Sequence, residues 1–73
     1  MAIVAEKTGT TLIGATAGNI WKYLYASGPV TLTKLAKEIE GSRDVIMQAV
    51  GWLAREEKIV IREDARSKVI DLV

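Results

Sequence analysis

Four closely spaced residues combine side chains that can recognise the edges of nucleic-acid bases. They are Arg43, Asp44, Met47 and Gln48, and they follow Gly41-Ser42. Arginine can hold guanine and glutamine can hold adenine through two hydrogen bonds each, so two of the four suit base recognition. Asp44 would repel phosphate, although its charge also favours the positive end of a helix. The alternative interpretation is a solvated helix face with a capped start.

Further side chains could contact phosphate groups. The predicted phosphate contacts are Thr33, Lys34, Arg55, Arg62, Arg66 and Lys68. Each phosphate that a cation neutralises adds salt-dependent affinity through counterion release. Glu63 and Asp64 lie among the last three cations and cancel much of their field, and an ordinary solvated turn has the same composition.

Composition restricts the chemistry further. Ten Lys and Arg against nine Asp and Glu give a net charge of +1, whereas a domain dedicated to binding phosphates usually has a strong basic excess. The absence of cysteine and histidine excludes disulfides, the common zinc sites, histidine triads and cysteine nucleophiles. Glu56 and Glu57 are adjacent, so on a helix they point apart. We predict no enzyme, no metal and no cofactor.

Length and hydropathy bound the organisation. The chain has 73 residues, which suffices for one core. Its apolar stretches are interrupted well before the roughly 20 residues that a membrane span needs, and no secretory signal pattern is visible. We therefore expect no membrane association and a cytoplasmic location.

The periodicity of apolar residues predicts the elements that position these side chains. Ile13, Ala17, Ile20, Trp21 and Leu24 form one face of a helix that reaches about Ser27, with Trp21 in the core. Gly28-Pro29 ends that helix, and Val30-Thr31-Leu32 suits a short strand. Gly14 and Gly18 lie four residues apart, which could let another helix approach, although simple packing is the usual cause.

The remaining elements complete a recognisable order. Thr33 is predicted to cap a second helix over residues 34–40, and Ser42 to cap a third helix whose apolar face is Ile46, Ala49, Val50 and Leu53. A tight turn of one or two residues joins them. β-branched runs around Ile59–Ile61 and Val69–Ile70 predict a hairpin. The order is that of a winged helix-turn-helix.

We therefore predict an α+β fold of three helices plus a C-terminal β-hairpin wing and a small three-stranded sheet. The domain would cover residues 10–73, preceded by an N-terminal arm or short strand at residues 1–9.

Two stretches carry a family resemblance. They are Ala17-Gly18-Asn19-Ile20-Trp21 and Gly51-Trp52-Leu53-Ala54-Arg55-Glu56-Glu57-Lys58-Ile59. Together they resemble a family of short bacterial and archaeal winged helix-turn-helix domains of unknown function. The resemblance covers about residues 13–61, and it implies the fold and, by analogy alone, DNA binding.

Other residues suggest contact with a partner. The predicted dimer or partner contacts are Tyr23, Tyr25, Trp52, Ile70 and Leu72. Aromatic residues are enriched in interface cores. The final strand is expected to be an edge strand with apolar groups on both faces, and such a strand needs cover. A second copy could supply that cover, or residues Ile3-Val4 could supply it within one chain.

Two functions remain open from the sequence. The first is a homodimeric DNA-binding protein that regulates transcription, with its third helix in the major groove, its wing on the backbone and two copies on paired half-sites. The alternative is a winged-helix module for protein–protein association or dimerisation that does not bind DNA. The near-neutral charge favours the alternative, whereas Arg43, Gln48 and the wing cations favour double-stranded DNA.

Overall fold

Three helices and a three-stranded antiparallel sheet make up the described part of the chain. The computed structural model describes residues 2–63 and 65–73, and the side chains of residues 11–63 and 65–73. In chain order the elements are α1 (Ala2–Ser27), β1 (Val30–Thr31), α2 (Leu32–Glu38), α3 (Arg43–Arg55), β2 (Ile59–Glu63) and β3 (Lys68–Leu72). This is the predicted α+β architecture of a winged helix-turn-helix.

Helix α1 is longer than the sequence predicted. Its 26 residues give a length of about 39 Å, which accounts for the elongated shape of 44 × 20 × 19 Å. The arm or strand expected at residues 1–9 is corrected to helix for residues 2–9, and Met1 lies outside the described residues. No proline precedes Pro29, and a helical glycine such as Gly9 lowers helix stability by only about 1 kcal/mol. Nothing therefore interrupts the helix before Ser27.

One face of α1 packs on the core, but Trp21 does not belong to it. Ala17, Ile20 and Leu24 are buried together with Thr16. The expectation that Trp21 lies in the core is wrong, because its side chain is 39% exposed. Ile20 takes the core position and Trp21 follows about 100° further around the helix.

Helix α2 begins two residues earlier than predicted. The Lys34 backbone N–H donates to Thr31 Oγ1 at 3.2 Å, so Thr31, and not Thr33, is the N-cap. The helix ends at Glu38, and Ile39 adopts extended backbone with its side chain buried. Residues 39–42 join α2 to α3, a longer link than expected, in which Gly41 has a φ of 131°.

Helix α3 agrees with its prediction. The Val45 backbone N–H donates to Ser42 Oγ at 3.2 Å, which confirms Ser42 as the N-cap. The predicted apolar face is buried and consists of Ile46, Ala49, Val50 and Leu53. The fold therefore fixes which side of α3 faces outward.

The capping hydrogen bond of α3 should contribute measurably to the stability of the domain. Ser42→Ala removes the acceptor for the Val45 N–H and should lower the free energy of unfolding by about 1 kcal/mol. Ser27→Ala is the matched control, since that hydroxyl bonds only the exposed Gly28 carbonyl. Urea unfolding of both variants measures the difference, and equal losses in the two would contradict the capping role.

The sheet places β3 in the middle, which corrects a second expectation. The strand order is β1-β3-β2, and Ile70 pairs with Val30 on one side and with Ile61 on the other. The final strand was expected at an edge in need of cover, but β1 already covers it. The side chain of Ile70 is fully buried in the core that it shares with the three helices, so it is not available as a dimer contact.

One core joins the sheet to the three helices. Its largest fully buried side chains are Ile20, Leu24, Leu35, Ile46 and Ile70. They come from all three helices and from the central strand. The outward faces of the helices and most of strand β2 remain exposed.

Candidate functional site

The outward face of α3 is a continuous exposed surface. Asp44, Gln48, Gly51 and Arg55 follow one another at spacings of four, three and four residues, which places them on one side of the helix. All four are exposed. We call these four residues, together with the exposed Arg43 at the helix start, the recognition face.

Three of the four predicted base contacts lie at this surface. Arg43, Asp44 and Gln48 are exposed, whereas Met47 is partly buried and packs against the hydrophobic core. Met47 therefore has less freedom to reach a ligand than its position in the helix suggested. Gly51, which is not among the predicted base contacts, lies at the centre of the face, where an added Cβ would meet no atom within 4 Å.

The charges of α3 also have a structural role. Asp44 lies in the first turn and Arg55 in the last turn, and each complements the partial charge at its end of the helix. The recognition face carries two cations and one anion, so its positive charge is small.

Two of the predicted phosphate contacts in the wing are engaged in ion pairs. Arg62 Nη2 lies 3.3 Å from Asp71 Oδ2, and Lys68 Nζ lies 3.7 Å from Glu63 Oε2. Exposed pairs of this kind contribute at most about 1 kcal/mol, but their carboxylates offset the positive charge available to a phosphate. Arg66 is exposed, and Asp64 lies outside the described residues.

Asp71 is a partner of Arg62 that the sequence pattern did not indicate. Its Cα pairs with that of Val60 and the Cα of Arg62 pairs with that of Val69, so Arg62 and Asp71 are diagonal neighbours on one face of the hairpin. Only the strand register reveals this partner, because nine residues separate the two in sequence.

The predicted phosphate contacts on the helices are accessible. Thr33 and Lys34 are exposed in the first turn of α2, and Arg55 is exposed at the end of α3. Since Thr31 already accepts the Lys34 backbone N–H, the ammonium group of Lys34 is the part available to a phosphate.

A second surface lies between α1, the C-terminal half of α3 and the end of the chain. This groove has a volume of about 730 Å³. We call it the aromatic groove; its lining includes Gly14, Gly18, Trp21, Lys22, Tyr25, Trp52, Glu56, Lys58, Leu72 and Val73. The rings of Trp21 and Tyr25 stack along one wall, with centroids 5.3 Å apart and planes 13° from parallel.

The predicted partner contacts divide around this groove. Tyr25 is 74% exposed and Trp52 is 50% exposed, and both line the groove with the half-buried Leu72. Tyr23 is partly buried against the core, on a different side of α1. Trp21 was predicted to lie in the core, so its place at the surface was not anticipated. The Gly14–Gly18 spacing, in contrast, did indicate a place on this helix where another helix could approach.

The described residues form neither a metal-ligand cluster nor a membrane-spanning helix. In residues 2–63 and 65–73 no group of three or more acidic residues converges as metal ligands would. Within the same ranges, no helix has the length and apolar character needed to cross a membrane.

Comparison with known proteins identifies the family. A family model described as "Winged helix-turn-helix domain (DUF2582)" matches residues 6–72. The chain belongs to this family. It is also 40% identical over 63 residues to "Uncharacterized protein MJ1608" of Methanocaldococcus jannaschii, a match that covers 82% of this chain and 89% of that protein.

A solved structure supports the same assignment. The chain resembles the solution NMR structure of protein BT2368 from Bacteroides thetaiotaomicron with a TM-score of 0.75 and 34% identity, over 85% of this chain and 76% of that one. The winged helix-turn-helix fold and the family that the sequence resembled are thus confirmed. A winged helix-turn-helix domain is compatible with DNA binding, and fold alone does not determine function.

Proposed function

We propose that this winged helix-turn-helix domain binds double-stranded DNA as a regulator of transcription, and that it is not an enzyme. The observation that supports this most is the recognition face of α3, because its exposed residues lie opposite a buried apolar face. In helix-turn-helix proteins, the N-terminal residues of this helix contact base edges in the major groove.

The residue types along α3 fit that placement. Arg43 and Gln48, near the N-terminus of the helix, can make paired hydrogen bonds to guanine and adenine. Gly51 adds no side-chain bulk at the centre of the face, so the helix can enter the groove closely. Arg55 and Lys34 would contact phosphates at the sides of the groove.

Two copies are proposed to act together in the cytoplasm. A single α3 reads only a few base pairs, and a two-fold pair of winged helices would read two half-sites separated by about one turn of DNA. Pairing also doubles the number of phosphate contacts, which matters for a chain whose net charge is only +1.

The main alternative is a module for protein–protein association without DNA binding. The near-neutral charge and the exposed aromatic groove favour it. The two functions differ in one property, since only the first requires affinity for phosphate that falls with salt.

A duplex titration tests the proposal. The chain should bind random duplex DNA at low salt and lose that binding as salt rises, and selection from random duplexes should enrich a preferred site. Arg43→Ala combined with Gln48→Ala should weaken the preferred site, by about 5- to 150-fold for each paired contact that is lost.

The matched control is Lys37→Ala, which removes an exposed cation outside the predicted contacts. It should change the affinity for the preferred site far less, and circular dichroism should show all variants folded. Absence of duplex binding at low salt would reject DNA binding and leave the association module as the function.

A further inference from the structure

We propose that Asp44 determines base specificity on the recognition face. Its carboxylate accepts a hydrogen bond from the exocyclic N4 amine of a cytosine in the major groove, and it disfavours duplexes that lack a cytosine at that position. The inference deepens the proposed DNA binding and rests on it. It gives the domain a class of target, a duplex in which a C·G pair lies beside the start of α3.

Asp44 lies on the side of α3 that faces directly away from the core. The four buried residues of this helix are centred about 190° around the axis from Asp44. Arg43, by contrast, lies about 100° to one side of Asp44. Asp44 is also exposed, so in the proposed complex its side chain projects into the groove that α3 enters.

The carboxylate of Asp44 has no partner within the described part of the chain. The wing carboxylates of Glu63 and Asp71 each form an ion pair, whereas Asp44 forms neither an ion pair nor a side-chain hydrogen bond with any described residue. Arg55, the cation on the same side of the helix, lies eleven residues further on, which is about 16 Å along the axis. Both oxygen atoms of Asp44 are therefore available to a ligand.

Capping of α3 does not account for this carboxylate. Ser42 already caps the helix by accepting the Val45 backbone N–H at 3.2 Å. A carboxylate that completed a capping box would lie at the third helical position, which Val45 occupies. Asp44 still interacts favourably with the positive helix end, but that interaction acts through space and leaves its oxygen atoms free to accept hydrogen bonds.

An anion at this place discriminates between bases by the donors that they present. Phosphates flank the major groove on both sides, so a carboxylate in the groove is repelled by every duplex. Exocyclic amines are the hydrogen-bond donors that the major groove offers in return. Cytosine presents its N4 amine alone, whereas adenine places the N7 acceptor beside its amine, where it repels the second carboxylate oxygen. Cytosine is therefore the base that Asp44 fits best.

The small positive charge of the domain increases the importance of this contact. The net charge is only +1, so attraction to phosphate is weak and discrimination must come from matched polar groups. A charge that stays unpaired against the wrong partner is an effective source of specificity. Since competing non-specific sites greatly outnumber the specific one, the ratio of the two affinities decides occupancy. Asp44 raises that ratio by lowering the affinity for duplexes without the cytosine.

Gln48 fixes where the cytosine lies relative to a second base. Gln48 follows Asp44 by four residues on the same side of α3, which is about 6 Å along the axis. Base pairs are about 3.4 Å apart, so the two side chains reach positions within about two base pairs of each other. Because glutamine suits adenine, the preferred site should combine a C·G pair and an A·T pair at this separation.

Base preference of Asp44→Asn tests the assignment. The preferred site is selected from random duplexes with the full wild-type chain, and each of its base pairs is then substituted in turn. At one position, replacing C·G by T·A should weaken wild-type binding by about 5- to 150-fold. Asp44→Asn should reduce this difference to within about threefold, because its amide can donate to thymine O4 as well as accept from the cytosine amine. Its affinity for random duplex should rise about threefold, the effect of removing one charge roughly 7 Å from a phosphate in water.

Glu38→Gln is the matched control, because it removes an exposed carboxylate from α2, outside the recognition face. It should retain the wild-type preference at every position of the site. Gln48→Ala should relax a different base pair and keep the preference for cytosine. Circular dichroism checks that all three variants are folded.

The possible results separate this inference from the proposed function. A wild-type chain that binds duplex, with no base preference that Asp44→Asn alters, would overturn the role of Asp44 and retain DNA binding. Loss of a preference for adenine in place of cytosine would overturn the choice of base. Absence of duplex binding by the wild-type chain at low salt would overturn the proposed function, and the role of Asp44 with it.

Discussion

Replacing Ile70 by alanine should lower the free energy of unfolding by about 2–5 kcal/mol. Ile70 lies on the central strand, has no exposed surface and belongs to the core shared with the three helices. A 73-residue domain has a total stability of only about 4–11 kcal/mol, so this variant should lose a large part of it. Urea unfolding followed by circular dichroism measures the loss.

The milder Ile70→Val keeps the experiment interpretable if Ile70→Ala does not fold. It should cost about 0.5–1.5 kcal/mol, which corresponds to a decrease in Tm of several degrees for a domain of this size. Val60→Ala is the control on the exposed edge strand, and it should cost less than about 1 kcal/mol.

Protein concentration distinguishes the core role of Ile70 from the dimer contact that the sequence had suggested. If Ile70 acted only between copies, its effect on stability would disappear at concentrations where the wild-type chain is monomeric. Substitution of a core residue destabilises each copy by itself, so the loss of stability should persist at those concentrations. A loss that vanishes on dilution would contradict the burial of Ile70.

Local signals in the sequence were sufficient to predict helix α3 and the order of the elements along the chain. The Ser42 cap and the apolar spacing from Ile46 to Leu53 are both encoded within about one helix length, and both are observed. Because the buried face of α3 is determined locally, the outward face could be predicted as well, with Met47 at its margin as the exception.

Features that depend on distant partners could not be predicted in the same way. The central place of β3 follows from its pairing with β1, which is separated from it by about forty residues of chain and is only two residues long. The exposure of Trp21 depends on how α1 rotates over α3, and Ile20 and Trp21 are adjacent apolar residues that compete for the core. The Arg62–Asp71 pair depends on the hairpin register.

The ion pairs Arg62–Asp71 and Lys68–Glu63 should limit the salt dependence of DNA binding. The predicted phosphate contacts include five cations: Lys34, Arg55, Arg62, Arg66 and Lys68. If Arg62 and Lys68 keep their carboxylate partners, only three net positive charges per copy release counterions. The slope of log K against log salt should then be about −2.7, whereas five free cations would give about −4.5.

The two slopes predict clearly different losses of affinity. Between 50 and 200 mM salt, a slope of −2.7 corresponds to a decrease of about 40-fold per copy, and a slope of −4.5 to about 500-fold. Fluorescence anisotropy with a short random duplex, at a protein concentration where one copy binds per duplex, measures the slope.

Asp71→Asn should make the slope steeper by about 0.9, since it leaves Arg62 without a counter-charge and adds one net cation to the wing. The asparagine oxygen can still accept the Leu72 backbone N–H that Asp71 Oδ1 accepts at 2.8 Å, so the strand end should be preserved. Glu38→Gln, an exposed carboxylate on α2, is the control for the change in overall charge. A wild-type slope near −4.5 that Asp71→Asn leaves unchanged would show that Arg62 contacts phosphate despite its partner. A slope of about −1.8, the value for Lys34 and Arg55 alone, would remove the wing from the proposed contacts.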